Sequence, residues 1–344
     1  MRRNIGLLLV VLGAFFLALA PLVKFYVAEQ LVVAPLNRYQ RTSLEAPNAT
    51  YFDMATLKLR QGVTLVAENT VRGDVRANAG NDAIAVWDSS TNIFDKAHPD
   101  KMIEVQGYRI AFDRRSSRLV DCCGTNIGGD TNVRMTGYGL LFPLANVEKK
   151  TYPFFDMTTR QEVPMRFEAV EEVQGVTAYK FTRQVPVTKT QKVDFKMPAD
   201  WLGLSKKLPA QKIDRYFEST ITQWVDPRTG VPIKVRQAIH SFVQTPDGKG
   251  KMTVAQADLR TTAAGEKSLI SQADSSALQI AAVRTYVPLG SLFLGVILLL
   301  LGAIVGVLAD RHAARAPKTP VRRSDGKFGE AAPPHASDQP VRHP

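Results

Sequence analysis

Two long apolar segments, one near each end of the 344-residue chain, constrain its fold more than any other feature. Residues 5–23 and 287–309 are each close to the roughly 20 helical residues that cross the hydrocarbon core of a bilayer. Arg2 and Arg3 precede the first segment, and several Arg and Lys residues follow the second. Because positive charge near a span holds the flanking loop in the cytoplasm, the pattern predicts a two-pass cell-membrane protein with both termini cytoplasmic.

This topology divides the chain into five regions. Residues 1–4 form a cytoplasmic N-terminus, residues 24–286 form an extracytoplasmic domain, and residues 310–344 form a disordered cytoplasmic tail with little hydrophobicity. The first segment has a rival interpretation as a cleaved signal peptide, because Ala18-Leu19-Ala20 has the small-x-small form of a cleavage site. Pro21 follows this site directly and favours an uncleaved anchor. Under both interpretations the central domain is extracytoplasmic.

Charge gives little indication of a partner. The formal net charge is +12, but the central domain is only mildly basic, as expected for a soluble surface of mixed charge. The central domain contains neither a nucleic-acid recognition signature nor a cluster of aromatic residues suited to base stacking. The sequence therefore predicts no nucleic-acid partner, and it leaves the oligomeric state open.

The central domain has the pattern of a β-rich fold. Short runs rich in Val, Ile, Thr and aromatic residues recur from residue 51 to residue 260, and Asp226-Pro-Arg-Thr-Gly230 is typical of a tight hairpin turn. Residues 268–286 lack Pro and Gly and predict a helical stalk leading into the second apolar segment. The polar residues 41–50, which include Pro47, are interpreted as a juxtamembrane stem. We expect a mainly β (α+β) domain of antiparallel curved sheets, flanked by two transmembrane helices.

A short repeat suggests that this domain has two related halves. Gln61-Gly-Val-Thr64 recurs at Gln174-Gly-Val-Thr177, and residues 112–116 resemble residues 225–229 at the same offset. The repeats would cover residues 51–150 and 160–260. Chance similarity among short β-hairpin signals is the alternative, because the intervening residues match poorly.

The cysteines of the chain are adjacent, within Asp121-Cys122-Cys123-Gly124. Thiols outside the cytoplasm tend to oxidise, so a structural vicinal disulfide between Cys122 and Cys123 is predicted, with buried reduced thiols as the alternative. Neighbouring Cα atoms lie about 3.8 Å apart, which is less than most disulfides span, so the ring needs a distorted turn. Gly124 suits such a turn.

No constellation typical of an enzyme is present. The central domain contains two histidines, His98 and His240, which are far apart in sequence, and no metal-ligand spacing, nucleophile elbow or phosphate-binding loop occurs. The sequence therefore predicts no catalytic residue, no metal and no cofactor.

Residues 137–156 concentrate aromatic side chains around Pro143 and Pro153. Such a stretch either packs inward as core or lines a hydrophobic binding site. As a binding site, its candidate apolar wall consists of Tyr138, Phe142, Tyr152, Phe154 and Phe155.

The same stretch carries a resemblance to a known family. Glu148-Lys-Lys-Thr-Tyr-Pro-Phe-Phe-Asp156, the following Glu171-Glu-Val-Gln-Gly-Val-Thr-Ala-Tyr-Lys-Phe181, the Asp-Cys-Cys-Gly turn and the N-terminal apolar helix resemble the actinobacterial porin PorA family. Some relatives are associated with lipoglycan assembly and proposed lipid transfer, so the resemblance implies a cell-envelope role. It supplies no catalytic residue. Two apolar helices around a water-soluble domain do not resemble the closed barrel of a porin.

We therefore expect a membrane-anchored envelope protein that binds or transfers a membrane lipid or a lipid-linked glycan such as a lipoglycan. The alternative is a non-catalytic scaffold for envelope-biosynthesis proteins. A third interpretation is an envelope enzyme that acts on glycan, which the missing catalytic constellation disfavours. A fourth is a channel, as the family name suggests, but the two uncharged helices offer no polar stripe for a pore.

Overall fold

The computed structural model describes residues 2–314, so residues 315–344 of the predicted tail lie outside the described residues. Strands dominate this range, with helices at both of its ends. The elements are α1 (Arg2–Leu22), α2 (Ala28–Leu31), β1 (Tyr39–Asp53), β2 (Lys58–Gly73), β3 (Ile84–Asp95), β4 (His98–Asp113), β5 (Leu119–Val120), β6 (Asn126–Ile127), β7 (Tyr152–Asp156), β8 (Gln161–Val173), β9 (Val176–Met197), a short 3-10 helix (Ala199–Leu202), β10 (Gln211–Val225), β11 (Pro232–Gln244), β12 (Lys251–Thr261), α3 (Ala263–Ala281) and α4 (Val287–Ala314).

The strands form a curved antiparallel sheet. Their order is β5-β4-β3-β2-β1-β12-β11-β10-β9-β8-β7, with β6 beside β4. The first and last long strands are therefore neighbours in the middle of the sheet, which brings residues 39 and 261, next to the two helical regions, towards the same end of one strand pair. The prediction of a mainly β fold of antiparallel curved sheets, with two helices apolar enough to span a membrane, is confirmed.

Strand β1 occupies the stretch that was interpreted as a stem, so that interpretation was wrong. β1 pairs with β2 on one side and β12 on the other. Its register shifts between Ala46 and Ala49, where Pro47 has no N–H to donate and Asn48 adopts a positive φ of 57°. The bulge accommodates the two residues that look incompatible with a central strand.

One type of turn closes four of the hairpins. In each, the side chain of an Asp at the end of a strand accepts backbone N–H groups two or three residues later, and the fourth residue after the Asp has a positive φ. The predicted turn at Asp226 is one of these and connects β10 to β11. The Asp and positive-φ residues are Asp53 and Leu57, Asp113 and Ser117, Asp156 and Arg160, and Asp226 and Gly230.

The repeated tetrapeptides occupy different positions in the sheet. Gln61 and Gly62 lie within β2, where it pairs with β1 close to the Pro47 bulge. Gln174 and Gly175 instead form the two-residue turn between β8 and β9, both with positive φ, as this kind of hairpin requires. The relation between the halves 51–150 and 160–260 remains a prediction.

A short segment around Gly137 joins the two edges of the sheet. The N–H of Leu119, in edge strand β5, donates to the Gly137 carbonyl at 2.9 Å, and the N–H of Tyr138 donates to the carbonyl of Pro153 in edge strand β7 at 2.8 Å. Gly137 has a φ of 72°, and an added Cβ would lie 2.3 Å from the Pro153 carbonyl oxygen. Glycine is therefore required at this closure, which pairs both edges and leaves fewer exposed strand groups.

Residues 2–15 and 295–314 form one compact unit, and residues 16–294 form another. In the first unit, α1 and α4 pack closely through glycines. An added Cβ on Gly13 would lie 2.9 Å from the Gly295 carbonyl oxygen, and one on Gly6 would lie 3.2 Å from that of Gly302. Small residues permit such close approach between apolar helices. In a membrane this packing holds the helices together, because lipid tails are as apolar as the side chains and no hydrophobic driving force acts between the helices.

In the second unit, five-residue π-helical turns connect the apolar helices to their neighbours. Val23–Val27 joins α1 to α2, and Ala282–Tyr286 joins α3 to α4, so the stretch predicted as a stalk is helical. Helix α3 begins at the N-cap Thr262, whose side chain accepts the Gly265 N–H, and its buried residues include Leu269 and Ala273. Taken with these turns, residues 4–31 and 263–308 are long and apolar enough to cross a membrane, by length and composition.

Candidate functional site

The structure places the five predicted aromatic wall residues in the packed interior, each at most 6% exposed. Tyr138, Phe142, Tyr152 and Phe154 belong to one apolar cluster, in which the ring centroid of Phe142 lies 4.7 Å from that of Phe154 and 5.3 Å from that of Tyr152. Phe155 belongs to a neighbouring cluster around Phe112 and Trp87. Among the described residues, none of the five borders the cavities described below.

Local polar contacts orient this aromatic cluster. The Tyr152 hydroxyl accepts the Glu148 N–H at 2.8 Å, and burial raises the pKa of Tyr152. The Tyr138 main chain bridges the sheet edges, so its ring enters the cluster from the closing segment. Phe181 on β9 contributes a ring centred 4.6 Å from that of Phe142. The cluster thus ties the 137–156 segment to the sheet.

The predicted vicinal disulfide is confirmed. Cys122 and Cys123 are bonded, with Cα atoms 3.7 Å apart, and no free cysteine occurs in residues 2–314. Cys123 and Gly124 both have positive φ values, and the Thr125 N–H donates to the Cys122 carbonyl at 3.2 Å. The disulfide lies in a tight turn between β5 and β6, as the sequence indicated.

A cavity of about 360 Å³, here called the juxtamembrane cavity, lies between the segment that follows α2 and the C-terminal half of α3. Its volume lies within the range of roughly 300–1,000 Å³ typical of small-molecule sites. It borders the end of α2 and the part of α3 that leads into α4. Its lining residues are Leu31, Val32, Val33, Ala34, Pro35, Arg38, Trp87, Leu141, Leu144, Thr229, Val231, Ser276, Gln279, Ile280 and Val283.

The segment that follows α2 forms the first wall of the juxtamembrane cavity, and hydrogen bonds to its main chain fix it to the sheet. Ala34, which is completely buried, donates its N–H to the Arg114 carbonyl at 2.9 Å and accepts the Arg114 Nε–H at 2.5 Å. The indole Nε1 of Trp87 donates to the Pro35 carbonyl at 3.2 Å. The extended segment after α2 is therefore held in a defined position, with Trp87 at the base of the cavity.

The other walls come from α3 and from the aromatic stretch. Ser276, Gln279, Ile280 and Val283 share one helical face, because their spacing follows the 3.6-residue period. Leu141 and Leu144 lie in the predicted 137–156 stretch, so this stretch does contribute apolar wall, but through leucines. The sequence prediction did not include these leucines, because the aromatic side chains of the same stretch are larger and were the stronger candidates for an apolar wall.

The charge that lines the juxtamembrane cavity is positive. Arg38 is the charged residue among the described lining residues, none of which is Asp or Glu. Its Nε is buried and has no hydrogen-bond partner within the described residues, while its Nη2 donates to Gln40. Burial lowers the pKa of Arg38, but the group stays charged at physiological pH. An anionic ligand group would offer the missing acceptor.

A second cavity, here called the sheet cavity, has a volume of about 530 Å³ and lies among β3, β4, β9, β10, β11 and β12. Ile93, Tyr108, Met157 and Phe217 provide apolar surface, and Arg215 lies 3.5 Å from Glu104. Tyr108, Ile127 and Met157 also pack against the cluster of Trp87 and Phe112, as do Leu141 and Leu144. One apolar cluster therefore borders both cavities.

No group of three or more His, Cys, Asp or Glu side chains in the described part of the chain is arranged to hold a metal ion. His98 and His240 do not meet. His240 contacts Glu218 at 2.8 Å within the sheet, whereas His98 lies at the exposed β3–β4 hairpin.

Two comparisons with known proteins give the same family name. A curated relative, "Porin PorA" from Corynebacterium amycolatum, is 21% identical over an alignment of 319 positions that covers 75% of this chain and 82% of the relative. The family model described as "Porin PorA" matches residues 5–304, which include the whole sheet and most of both apolar helices. The two apolar helices of the chain fit a membrane protein. The chain belongs to the PorA family, and the family name indicates a channel or envelope protein.

Proposed function

We propose that the chain is a two-pass, non-catalytic envelope protein that binds a membrane lipid in the juxtamembrane cavity. The observation that carries this proposal is the position of the cavity between the end of the first membrane-length helix and the part of α3 that leads into α4. Positive residues outside the apolar segments favour cytoplasmic termini and an extracytoplasmic sheet. A lipid could then enter the cavity from the outer leaflet without crossing water.

The cavity chemistry suits one acyl chain and an anionic head group. Each buried methylene contributes about 0.8 kcal/mol, so four methylenes against Val33, Leu141 and Leu144 would contribute about 3 kcal/mol. The free Nε of Arg38 could donate a charge-assisted hydrogen bond to a phosphate or carboxylate oxygen. Lipids and lipid-linked glycans with an anionic group next to the acyl chain meet both conditions.

Transfer, as distinct from binding, draws support from the sheet cavity. The cluster around Trp87 and Phe112 borders both cavities, so an acyl chain that displaced its partly buried members would stay in apolar surroundings between them. In this proposal lipid moves from the juxtamembrane cavity towards the sheet cavity, and envelope-biosynthesis proteins supply or receive it.

The proposal is tested by native mass spectrometry of the full-length protein, solubilised gently from an actinobacterial host and compared with a lipid-extracted control. Ser276→Trp fills the juxtamembrane cavity from α3, and Ser275→Trp places the same side chain on the exposed face one residue earlier. We expect a specific lipid on the wild type and on Ser275→Trp, and its loss from Ser276→Trp. Retention by both variants would exclude this cavity as the site.

The alternative functions give different results in the same preparation. Absence of lipid together with a recurrent protein partner would favour the scaffold interpretation. Conductance of the purified protein in planar bilayers would favour the channel that the family name suggests. If the amount of bound lipid falls in Arg38→Gln while the apolar part of that lipid is still found in extracts of the variant, the anionic group is the part that Arg38 recognises.

A further inference from the structure

A third cavity, here called the strand groove, lies across β9, β10, β11, β12 and β1 and has a volume of about 720 Å³. It shares no lining residue with the juxtamembrane cavity. Two rows of cross-strand neighbours form its surface. The rows are Glu218, His240, Gln256 and Thr50, and Gln184, Thr220, Ala238 and Asp258.

A bulge bounds the groove on each side. On β1 the register shifts at Pro47 and Asn48, and on β9 it shifts beyond Val185 and Pro186. Each bulge contains a proline, which cannot donate to the ladder, so the strand bends there. Ala238 in the middle strand is small and leaves the space between Thr220 and Asp258 open. The groove is thus a depression on the sheet, with a bulge on each side.

The groups along the groove are hydrogen-bonding and largely unused. The side chains of Asn48, Gln184, Thr220 and Gln256 make no hydrogen bond within the described residues, and each can both donate and accept. His240 is held between the Glu218 carboxylate at 2.8 Å and the Thr253 hydroxyl at 3.3 Å. A mixture of free amides and hydroxyls around an oriented imidazole matches a ligand whose own groups both donate and accept.

The charges of the groove disfavour an anionic ligand. Its two carboxylates are Glu218 and Asp258, and the described lining residues include no Lys or Arg. Asp258 is bonded to Arg236 at 2.8 Å and to Arg260 at 2.5 Å, so its charge is largely compensated. A phosphate or sulfate would meet the Glu218 carboxylate with no Lys or Arg among the described lining residues. A neutral, hydroxyl-rich molecule meets no such penalty.

We propose that the strand groove binds a neutral saccharide of a few hexose units. Sugar hydroxyls match the free amides and hydroxyls, and the volume of the groove lies within the range of small-molecule sites. The proposal does not depend on lipid in the juxtamembrane cavity. If both sites are occupied in one protein, the ligand class narrows to a lipid that carries a neutral glycan.

Saturation-transfer NMR on the full-length protein tests the proposal. The detergent must be zwitterionic, because a sugar-based detergent would compete for the groove. The probes are a neutral glucose trisaccharide, a neutral mannose trisaccharide and glucose 6-phosphate. We expect signals from at least one trisaccharide and none from the phosphate. Signals from the phosphate alone, or from no probe, would overturn the proposal.

Variants locate the binding. Ala238→Phe fills the groove and should abolish the trisaccharide signal, while Gln256→Ala should weaken binding about fivefold by removing a hydrogen-bonding amide. Gln161→Ala removes the same side chain from an exposed position on β8 and should leave binding unchanged. Unchanged binding in Ala238→Phe would overturn the proposal. Lipid measured on the same samples reports independently on the juxtamembrane cavity, since Ala238 lies outside it.

Discussion

Replacing Phe142 by Ala separates the two interpretations of the aromatic stretch, core packing and ligand wall. Phe142 is completely buried, and its ring contacts those of Tyr152, Phe154 and Phe181 at centroid distances of 4.6–5.3 Å. A buried Phe→Ala change typically costs about 3–5 kcal/mol through lost transfer energy and the cavity that remains. We expect a cost in this range for the free energy of unfolding, which corresponds to a decrease in Tm of about 6–20 °C.

Urea titration monitored by tryptophan fluorescence measures this effect, because Trp87, Trp201 and Trp224 all lie in the sheet-containing part of the chain. Phe195→Ala is the matched control. Phe195 is 53% exposed on β9, so its removal should change the unfolding free energy by no more than about 0.5 kcal/mol. Equal stability of the two variants would refute the packing argument. Loss of bound lipid from Phe142→Ala at unchanged stability would instead support the ligand wall predicted from the sequence.

Three further changes test other parts of the structure. Gly137→Ala should destabilise the sheet by at least about 1–2 kcal/mol in urea titration, because φ is positive and the Cβ would collide with the Pro153 carbonyl; equal stability would show that the edge closure is dispensable. Gly13→Leu should lower the Tm of the full-length protein more than Gly290→Leu, whose added Cβ meets nothing within 4 Å. The Thr56 hydroxyl, together with nearby N–H groups, holds the pKa of Asp53 below its ordinary value of 3.8. The contribution of ionised Asp53 to the stability of the fold is therefore complete above pH 3.8 and is lost as pH falls through the lower pKa of the folded state. Acid titration of Asp53→Asn should therefore show a weaker loss of stability below pH 4 than the wild type.

The sequence predicted the features that depend on local chemistry. The two apolar segments, the turn at Asp226 and the disulfide at Cys122 each follow from hydrophobicity or backbone constraints within a few residues, and the structure contains all three. Strand β1 was missed because Pro47 and polar neighbours resemble a linker. Its pairing depends on β2 and β12, and β12 lies some two hundred residues further along the chain, so no local pattern could reveal it.

The cavities lie beyond local prediction for the same reason. Leu31 and Val283 border one cavity although they are about 250 residues apart in sequence, and Asn48 and Gln184 face each other across the strand groove only through the register of four intervening strand pairings. The wall residues themselves are ordinary leucines, amides and hydroxyls, which carry no signature. The aromatic residues were predicted to line a binding site because their side chains are large and apolar, but such side chains are more often buried in the core.

The neighbouring positions of β1 and β12 explain why the structure has a cavity beside both helical regions. Because these strands pair, the segments that leave them towards α2 and α3 must start close together, and the two membrane-length helices continue from those segments. The two connecting segments that leave β1 and β12, here called tethers, begin side by side. The gap between them is filled neither by the sheet nor by a single helix. Trp87, Leu141 and Leu144 provide apolar lining to this gap, and the polar residues among its described lining residues are Arg38, Thr229, Ser276 and Gln279. Substitutions that lengthen one tether, such as insertion of two Gly after Pro35, should therefore reduce lipid retention while leaving the urea midpoint of the sheet nearly unchanged. A fall in both together would indicate that the gap is a by-product of packing and not a binding site.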